Sequence, residues 1–191
     1  MKKTLQDLTK EDWNSLFPVK LYDHNPEWKV IFEKEKDAIL KALGDTVLKI
    51  EHFGSTSVPG IKAKPYIDII IEIEKEVLFD EGIISKLSAL NYTHFKVTER
   101  EGIDAYMSFG KGYNLHGEKE QIFHIHMCPK DNYMWKQIDF RDYLIANLDR
   151  AEAYEKLKLE LAAKFKNDRG NYVLSKTDFI KETLDLVNSE H

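Results

Sequence analysis

Apolar residues spaced three and four apart predict helices along much of the chain. The clearest helix follows Asn25, a good N-cap, and Pro26 at the first helical position, and Gly44 is a natural stop. Residues 1–18 are expected to form a short amphipathic, helical leader. The same spacing predicts further helices over 79–91, about 133–147, about 150–167 and about 176–188.

Shorter apolar runs predict the strands. The run 65–74 is rich in Ile and almost continuously apolar, which is typical of a central strand covered on both faces. Other strands are expected over 47–53, 93–97, 105–109 and 121–127. This order predicts an α+β fold, a mixed β-sheet with helices packed on it and a helical C-terminal part. We expect a single domain over 1–191, with its core at about 19–185.

Composition narrows the class of protein. With 191 residues, 42% hydrophobic and 32% charged, the chain has the profile of a soluble globular protein. A net charge of -5 argues against nucleic acid as the main partner. Cys128 is the one cysteine, so no intramolecular disulfide forms. No apolar signal core and no run near the roughly 20 residues needed to span a bilayer are present. These features predict a cytoplasmic protein without membrane contact, and they leave its oligomeric state open.

A Gly-Ser turn before the central strand has the character of a phosphate-binding loop. Gly54 allows close approach of the backbone to a ligand, and the hydroxyls that follow it can donate to phosphate oxygens. Two lysines just before the strand would meet a phosphorylated ligand as point charges. The predicted phosphate-binding residues are Gly54, Ser55, Thr56, Ser57, Lys62 and Lys64.

Asp68 lies within the apolar strand that follows this turn. A buried carboxylate without a partner is costly, and Mg²⁺, which prefers oxygen ligands, is a suitable partner. The alternative is structural: a Ser/Gly loop enters a core strand, and backbone donors satisfy Asp68.

A second candidate is the pair His124 and His126. Alternation along a strand places both on one face, about 7 Å apart. Such a pair can bind a metal, contact phosphate or act as acid and base, although a structural role is an equal alternative. The spacing approaches the histidine-triad pattern of nucleotide hydrolases, but Cys128 stands where the third histidine belongs. His116, in a predicted loop turn, is a weaker candidate for the same site.

The run from His52 to Asp68 resembles the signature of the GrpB family. Further segments agree with it at 19–28, 123–129, 140–144 and 154–180, so the resemblance covers about residues 19–185. It implies the nucleotidyltransferase fold. In that superfamily Gly54 and Ser55 match the Gly-Ser signature, and Asp68 matches the first metal-binding carboxylate. In bacteria such a domain also occurs fused to dephospho-CoA kinase. The resemblance carries no assigned reaction.

The chain departs from the superfamily pattern at the second acid, where it has Ile70. Glu72 shares the strand face of Asp68 but lies about 13 Å away by strand rise, too far to hold the same ion. The histidines stand where a third acid is expected. One Asp and two His favour Zn²⁺, Mn²⁺, Ni²⁺ or Fe²⁺ over a pair of Mg²⁺ ions. We expect a divalent metal (Mg, Mn or Zn) on the residues that are also the catalytic candidates, Asp68, His124 and His126.

Three functions follow as hypotheses. The first is a nucleotidyltransferase-like enzyme that acts on a nucleotide or phosphorylated metabolite with a divalent metal. The second is a catalytically degenerate protein that binds such a ligand without turnover, which Ile70 favours. The third is a folding accessory or scaffold without a small-molecule site.

Overall fold

The computed structural model describes residues 5–99, 102–115 and 120–189. Its strands are β1 (Lys49–Phe53), β2 (Tyr66–Glu72), β3 (Thr93–Val97), β4 (Tyr106–Lys111) and β5 (Ile122–Cys128). Its helices are α1 (Lys10–Leu16), α2 (Glu27–Leu43), α3 (Glu81–Ala89), α4 (Lys136–Ala146), α5 (Leu148–Lys164), α6 (Arg169–Leu174) and α7 (Thr177–Ser189).

The five strands form one mixed sheet in the order β1-β2-β5-β4-β3. The central pair, β2 and β5, is parallel, whereas the other neighbouring pairs are antiparallel. The connection between the parallel strands runs through α3, β3 and β4, which is long enough for a crossover. The predicted α+β fold with a mixed sheet is confirmed.

Alternation along the strands divides the sheet into two faces. The odd-numbered isoleucines of β2 pack with Ile125 and Met127 against helices α2 and α3. The even-numbered positions face the C-terminal helices, and Ile70 there contacts Phe53, Cys128 and Ile138. Because both faces are covered, β2 is almost continuously apolar, as its sequence predicts.

The helix boundaries follow local chemistry. Asn25 Oδ1 accepts a hydrogen bond from the Glu27 amide at the start of α2. At its end, Gly44 has φ +57° and its N–H donates to the Leu40 carbonyl. The leader helix α1 begins with a capping box between Thr9 and Asp12.

The predicted helix at about 150–167 ends three residues too late, and α6 is missing from the prediction. Helix α5 ends at Lys164, and Asp168 then caps a separate helix by accepting from the Asn171 amide. Six residues are too few to show a period of their own, which is why the sequence pattern does not reveal α6. In the ranges that the structure describes, no helix is long and apolar enough to cross a membrane.

Candidate functional site

A cleft of about 560 Å³ opens between the even-numbered face of β2 and the C-terminal helices. We call it the site cleft. Most of the predicted site residues line it, and they reach it from the turn before β2 and from β2 and β5 themselves. These residues are Gly54, Ser55, Thr56, Lys64, Asp68, His124 and His126.

Asp68 and His124 are neighbours on the two parallel strands. His124 Nδ1 donates to Asp68 Oδ1 over 3.1 Å. Burial raises the pKa of Asp68, but the hydrogen bond and charge of His124, helped by His126 and Lys64, outweigh it and leave that pKa below its usual value. Asp68 is therefore ionised at neutral pH, and it fixes the orientation and tautomer of His124.

The Gly-Ser turn touches Asp68 directly. Gly54 has φ +73°, and a Cβ built on it would lie 3.2 Å from Asp68 Cγ and would overlap Oδ2. Only glycine allows the turn to approach the carboxylate this closely. The sequence signature thus describes a packing contact as well as a loop.

His124 has a second partner that the sequence analysis missed. The Tyr113 hydroxyl contacts His124 Nε2. Burial raises the pKa of Tyr113, so the phenol stays protonated and can donate to His124 Nε2. A hydrogen-bonded chain therefore runs from Tyr113 through His124 to Asp68. No local motif marks Tyr113, because its contact depends on the pairing of β4 with β5.

His126 lies opposite Ile70, between the rings of Phe53 and Tyr106. Its Nδ1 is buried without a hydrogen-bond partner in the described part of the chain. Burial lowers the pKa of His126 to about 4, although the charge of Asp68 works in the opposite direction. His126 is accordingly neutral at physiological pH.

The three predicted metal ligands do not form a metal-binding set in this arrangement. Both ring nitrogens of His124 have partners, and Ile70 supplies no donor. Over the described ranges, no group of three or more His, Cys, Asp or Glu side chains has a geometry that could hold a metal ion. The divalent metal remains a prediction.

Lysines are a second component of the site cleft. Lys64 lies over the rings of Tyr66 and Tyr172, at 4.8 and 5.6 Å from their centroids. Lys158 is only 1% exposed, and its amine donates to the Lys62 carbonyl. Burial lowers the pKa of both Lys64 and Lys158 to about 7, and Lys176 nearby adds to the effect.

Arg169, Lys176 and Lys181 complete the cationic lining. Asp68 is the single carboxylate among the described lining residues. In a protein of net charge -5, the ionisable side chains that line the site cleft are therefore mostly basic. One signal in the sequence pointed to Lys158: it interrupts the buried stripe of α5, formed by Ala151, Tyr154 and Leu161.

Other predicted phosphate-binding groups are engaged elsewhere. The Thr56 hydroxyl contacts His52 Nε2 at 3.0 Å and donates to the Tyr66 carbonyl at 2.8 Å. The Ser57 hydroxyl donates to the Gly54 carbonyl at 2.6 Å. Lys62 pairs with Asp23 at the surface, outside the site cleft. Thr56 and Ser57 thus build the turn. His116 lies outside the described residues.

The five-stranded mixed sheet with helices packed on it defines an α+β protein. The model of the family described as GrpB protein matches residues 18–186, and the chain belongs to this family. The chain is 35% identical over 165 residues to the glutamate-rich protein GrpB of Alkalihalophilus pseudofirmus, covering 86% of this chain and 92% of that protein.

A solved structure shows the same fold. The conserved protein GrpB from Enterococcus faecalis superposes with a TM-score of 0.74 at 27% identity, covering 90% of this chain and 98% of that one. A shorter match joins 39% of this chain to 19% of a dephospho-CoA kinase from Mycolicibacterium paratuberculosis, with 35% identity over 78 residues.

Proposed function

We propose that this protein binds a nucleotide or another phosphorylated metabolite in the site cleft and transfers a phosphoryl or nucleotidyl group from it. The observation that best supports this proposal is that several cationic side chains line the cleft around a single described carboxylate, Asp68. Lys64, Lys158 and Lys176 contact aromatic rings or a carbonyl, and none has a carboxylate within 4.0 Å in the described structure. A multiply charged anion would supply the missing counter-charge.

Burial makes these lysines sensitive to such a ligand. A phosphate beside Lys64 and Lys158 would raise their pKa and hold both in the charged form. Each charged lysine would attract the phosphate strongly, because water screens charges poorly in a buried cleft. Ser55, which lines the cleft beside Gly54, adds a hydroxyl donor.

The pair Asp68–His124 provides the chemistry for transfer. With Nδ1–H donated to Asp68, His124 has its Nε2 lone pair directed away from the carboxylate. That lone pair can accept a proton from an acceptor hydroxyl, which then attacks phosphorus. The lysines would stabilise negative charge on the leaving group. A segment similar to this chain lies within a protein named dephospho-CoA kinase, which makes phosphorylated metabolites the first ligands to test.

A second candidate function is binding without turnover. Ile70 favours it, because a fully buried isoleucine stands at the second-acid position and no metal-binding group of three is formed in the described ranges. Binding without turnover requires the cationic side chains of the cleft but does not require Asp68.

Calorimetric titration tests ligand binding. Nucleoside mono-, di- and triphosphates and inorganic triphosphate are titrated with and without Mg²⁺, Mn²⁺ or Zn²⁺. We expect Lys158→Met to weaken binding at least about tenfold, since it removes a charged contact worth about 1.5 kcal/mol or more. Lys156→Met, on the exposed side of the same helix, should bind as the wild type does. Absence of binding by every compound would overturn the proposal.

Asp68→Asn separates the two candidates. If the protein is a transferase, the variant binds the ligand that titration identifies and loses product formation, measured by phosphorus NMR. If it binds without turnover, wild type and Asp68→Asn both bind and neither forms product.

A further inference from the structure

We propose that Tyr113 is a built-in cap on His124, held in place by the leader segment, residues 5–17. The inference rests on the proposed role of His124 as a base, and it names a regulation of that same site. Tyr113 donates its hydroxyl to His124 Nε2, the atom that an acceptor hydroxyl must reach. In this structure the Tyr113 hydroxyl occupies the position at His124 Nε2 that the acceptor hydroxyl would take.

Two glycines place Tyr113 over the histidine. Gly110 lies opposite His124 in the β4–β5 pair, and a Cβ there would lie 3.0 Å from the Tyr113 ring. Gly112 has φ +82°, and a Cβ on it would overlap the Gln121 carbonyl. The strand therefore ends in a turn that folds Tyr113 back across the sheet, where its ring stacks on His124 at 5.4 Å.

The leader secures the other side of the Tyr113 ring. Trp13 and Phe17 meet it edge-on, with centroids at 5.1 and 4.9 Å. Edge-on aromatic pairs of this kind attract each other beyond the contribution of the apolar area that they bury. Tyr113 is thus packed between its target histidine and two leader rings.

Arg169 connects this packing to the ligand cleft. Its guanidinium donates to the Phe17 carbonyl at 2.9 Å and lies 5.8 Å from the Trp13 ring, and it also lines the site cleft. A phosphate bound by Arg169 would compete with the leader carbonyl for the same donors. Ligand entry would therefore loosen the leader and release Tyr113 from His124.

The leader lies before the segment that defines the family, which begins at residue 18. Tyr113 and His124 lie inside that segment, whereas Trp13 and Phe17 do not. The capped pair, Tyr113 and His124, thus lies within the family match, whereas the two leader rings that hold Tyr113 in place lie outside it.

Diethyl pyrocarbonate, which acylates accessible neutral imidazole nitrogen, tests the cap on the full-length, ligand-free protein. The labelling rate of His124 is followed by peptide mass spectrometry. In Tyr113→Phe the ring remains and the hydroxyl is lost, so we expect labelling at least about fivefold faster, the factor that one net hydrogen bond represents. Tyr22→Phe, which removes a hydroxyl at the exposed surface, is the matched control.

The double variant Trp13→Ala, Phe17→Ala should accelerate labelling in the same way, and an unchanged rate would refute the clamp. An unchanged rate in Tyr113→Phe would refute the cap itself. Nitrogen-15 NMR adds a readout that loss of packing does not mimic: wild-type His124 should be the Nδ1–H tautomer, and the Nε2–H tautomer would overturn the assignment. Neither readout needs a bound ligand, so failure of phosphate binding leaves both interpretable.

Discussion

Gly54 and Asp68 lie so close together that any side chain at residue 54 would overlap the Asp68 carboxylate. This contact joins the turn to the central strand. Because Asp68 in turn orients His124, the glycine sets the position of the hydrogen-bonded pair without contributing a functional group.

Gly54→Ala should destabilise the protein more than Gly60→Ala does. Both glycines have positive φ, +73° and +83°, so alanine strains the backbone at each, and at Gly54, where ψ is -177°, the conformation is essentially restricted to glycine and costs alanine about 1–3 kcal/mol. Residue 60 has no atom within 4 Å of a built Cβ, whereas residue 54 meets Asp68. Urea denaturation of the two variants measures the difference. Equal losses of stability would show that the contact is not tight.

The buried Lys158 should make stability rise with pH. Its folded-state pKa is about 7, below the ordinary value of 10.5. Between those values the unfolded chain binds more protons than the folded one, so the free energy of unfolding increases as pH rises. Lys158→Met should remove part of that increase, on the order of a few kcal/mol between pH 7 and 10. Parallel pH profiles for wild type and variant, measured by denaturant titration, would contradict this expectation.

His52 should contribute to acid destabilisation. It stacks on Phe32 at 4.8 Å, and burial lowers its pKa to about 4, partly opposed by Asp68. Between about pH 6.5 and 4 the unfolded chain takes up the proton first, so stability is lost as pH falls through this range. His52→Gln keeps a donor for Thr56 and removes the titration. Its melting temperature should therefore fall less than that of wild type between pH 7 and 4.5.

Ile70→Asp tests whether the second-acid position can be restored. Ile70 is fully buried against Phe53 and Cys128, so a carboxylate there should cost at least about 2 kcal/mol of stability. Because residues 68 and 70 share a strand face, two carboxylates would then be close enough to hold one cation. Mn²⁺ should recover part of the lost stability in this variant. Ile70→Asn, which is equally polar and uncharged, should lose stability without recovery by Mn²⁺.

The alternation of side chains along a strand explains which part of the site can be predicted from the sequence. Within β2, period two places Asp68 and Ile70 on one face, and the same rule places His124 and His126 together in β5. The sequence does not reveal the register that brings Asp68 beside His124, because these residues are 56 positions apart. That register depends on packing of the whole sheet.

The lysines show a second reason why the sequence alone does not predict the whole site. Lys62 and Lys64 stand in the same short loop, where no periodicity distinguishes the one that reaches the cleft. Asp23 captures Lys62, and the rings of Tyr66 and Tyr172 receive Lys64. Lys176 lies in the turn between α6 and α7, which pack on the sheet from the far end of the chain, so local pattern alone does not assign it to the cleft.

The two halves of the cleft lie on different parts of the chain. The sheet supplies Asp68 and His124, and the helical C-terminal part supplies Lys158, Lys176 and Lys181. Under the function proposed above, substitutions in the helices should change which anion binds while the hydrogen bond between Asp68 and His124 stays intact. The groups that would hold an anion and the pair that would move a proton are thus on separate elements, so mutation can alter one set and leave the other in place.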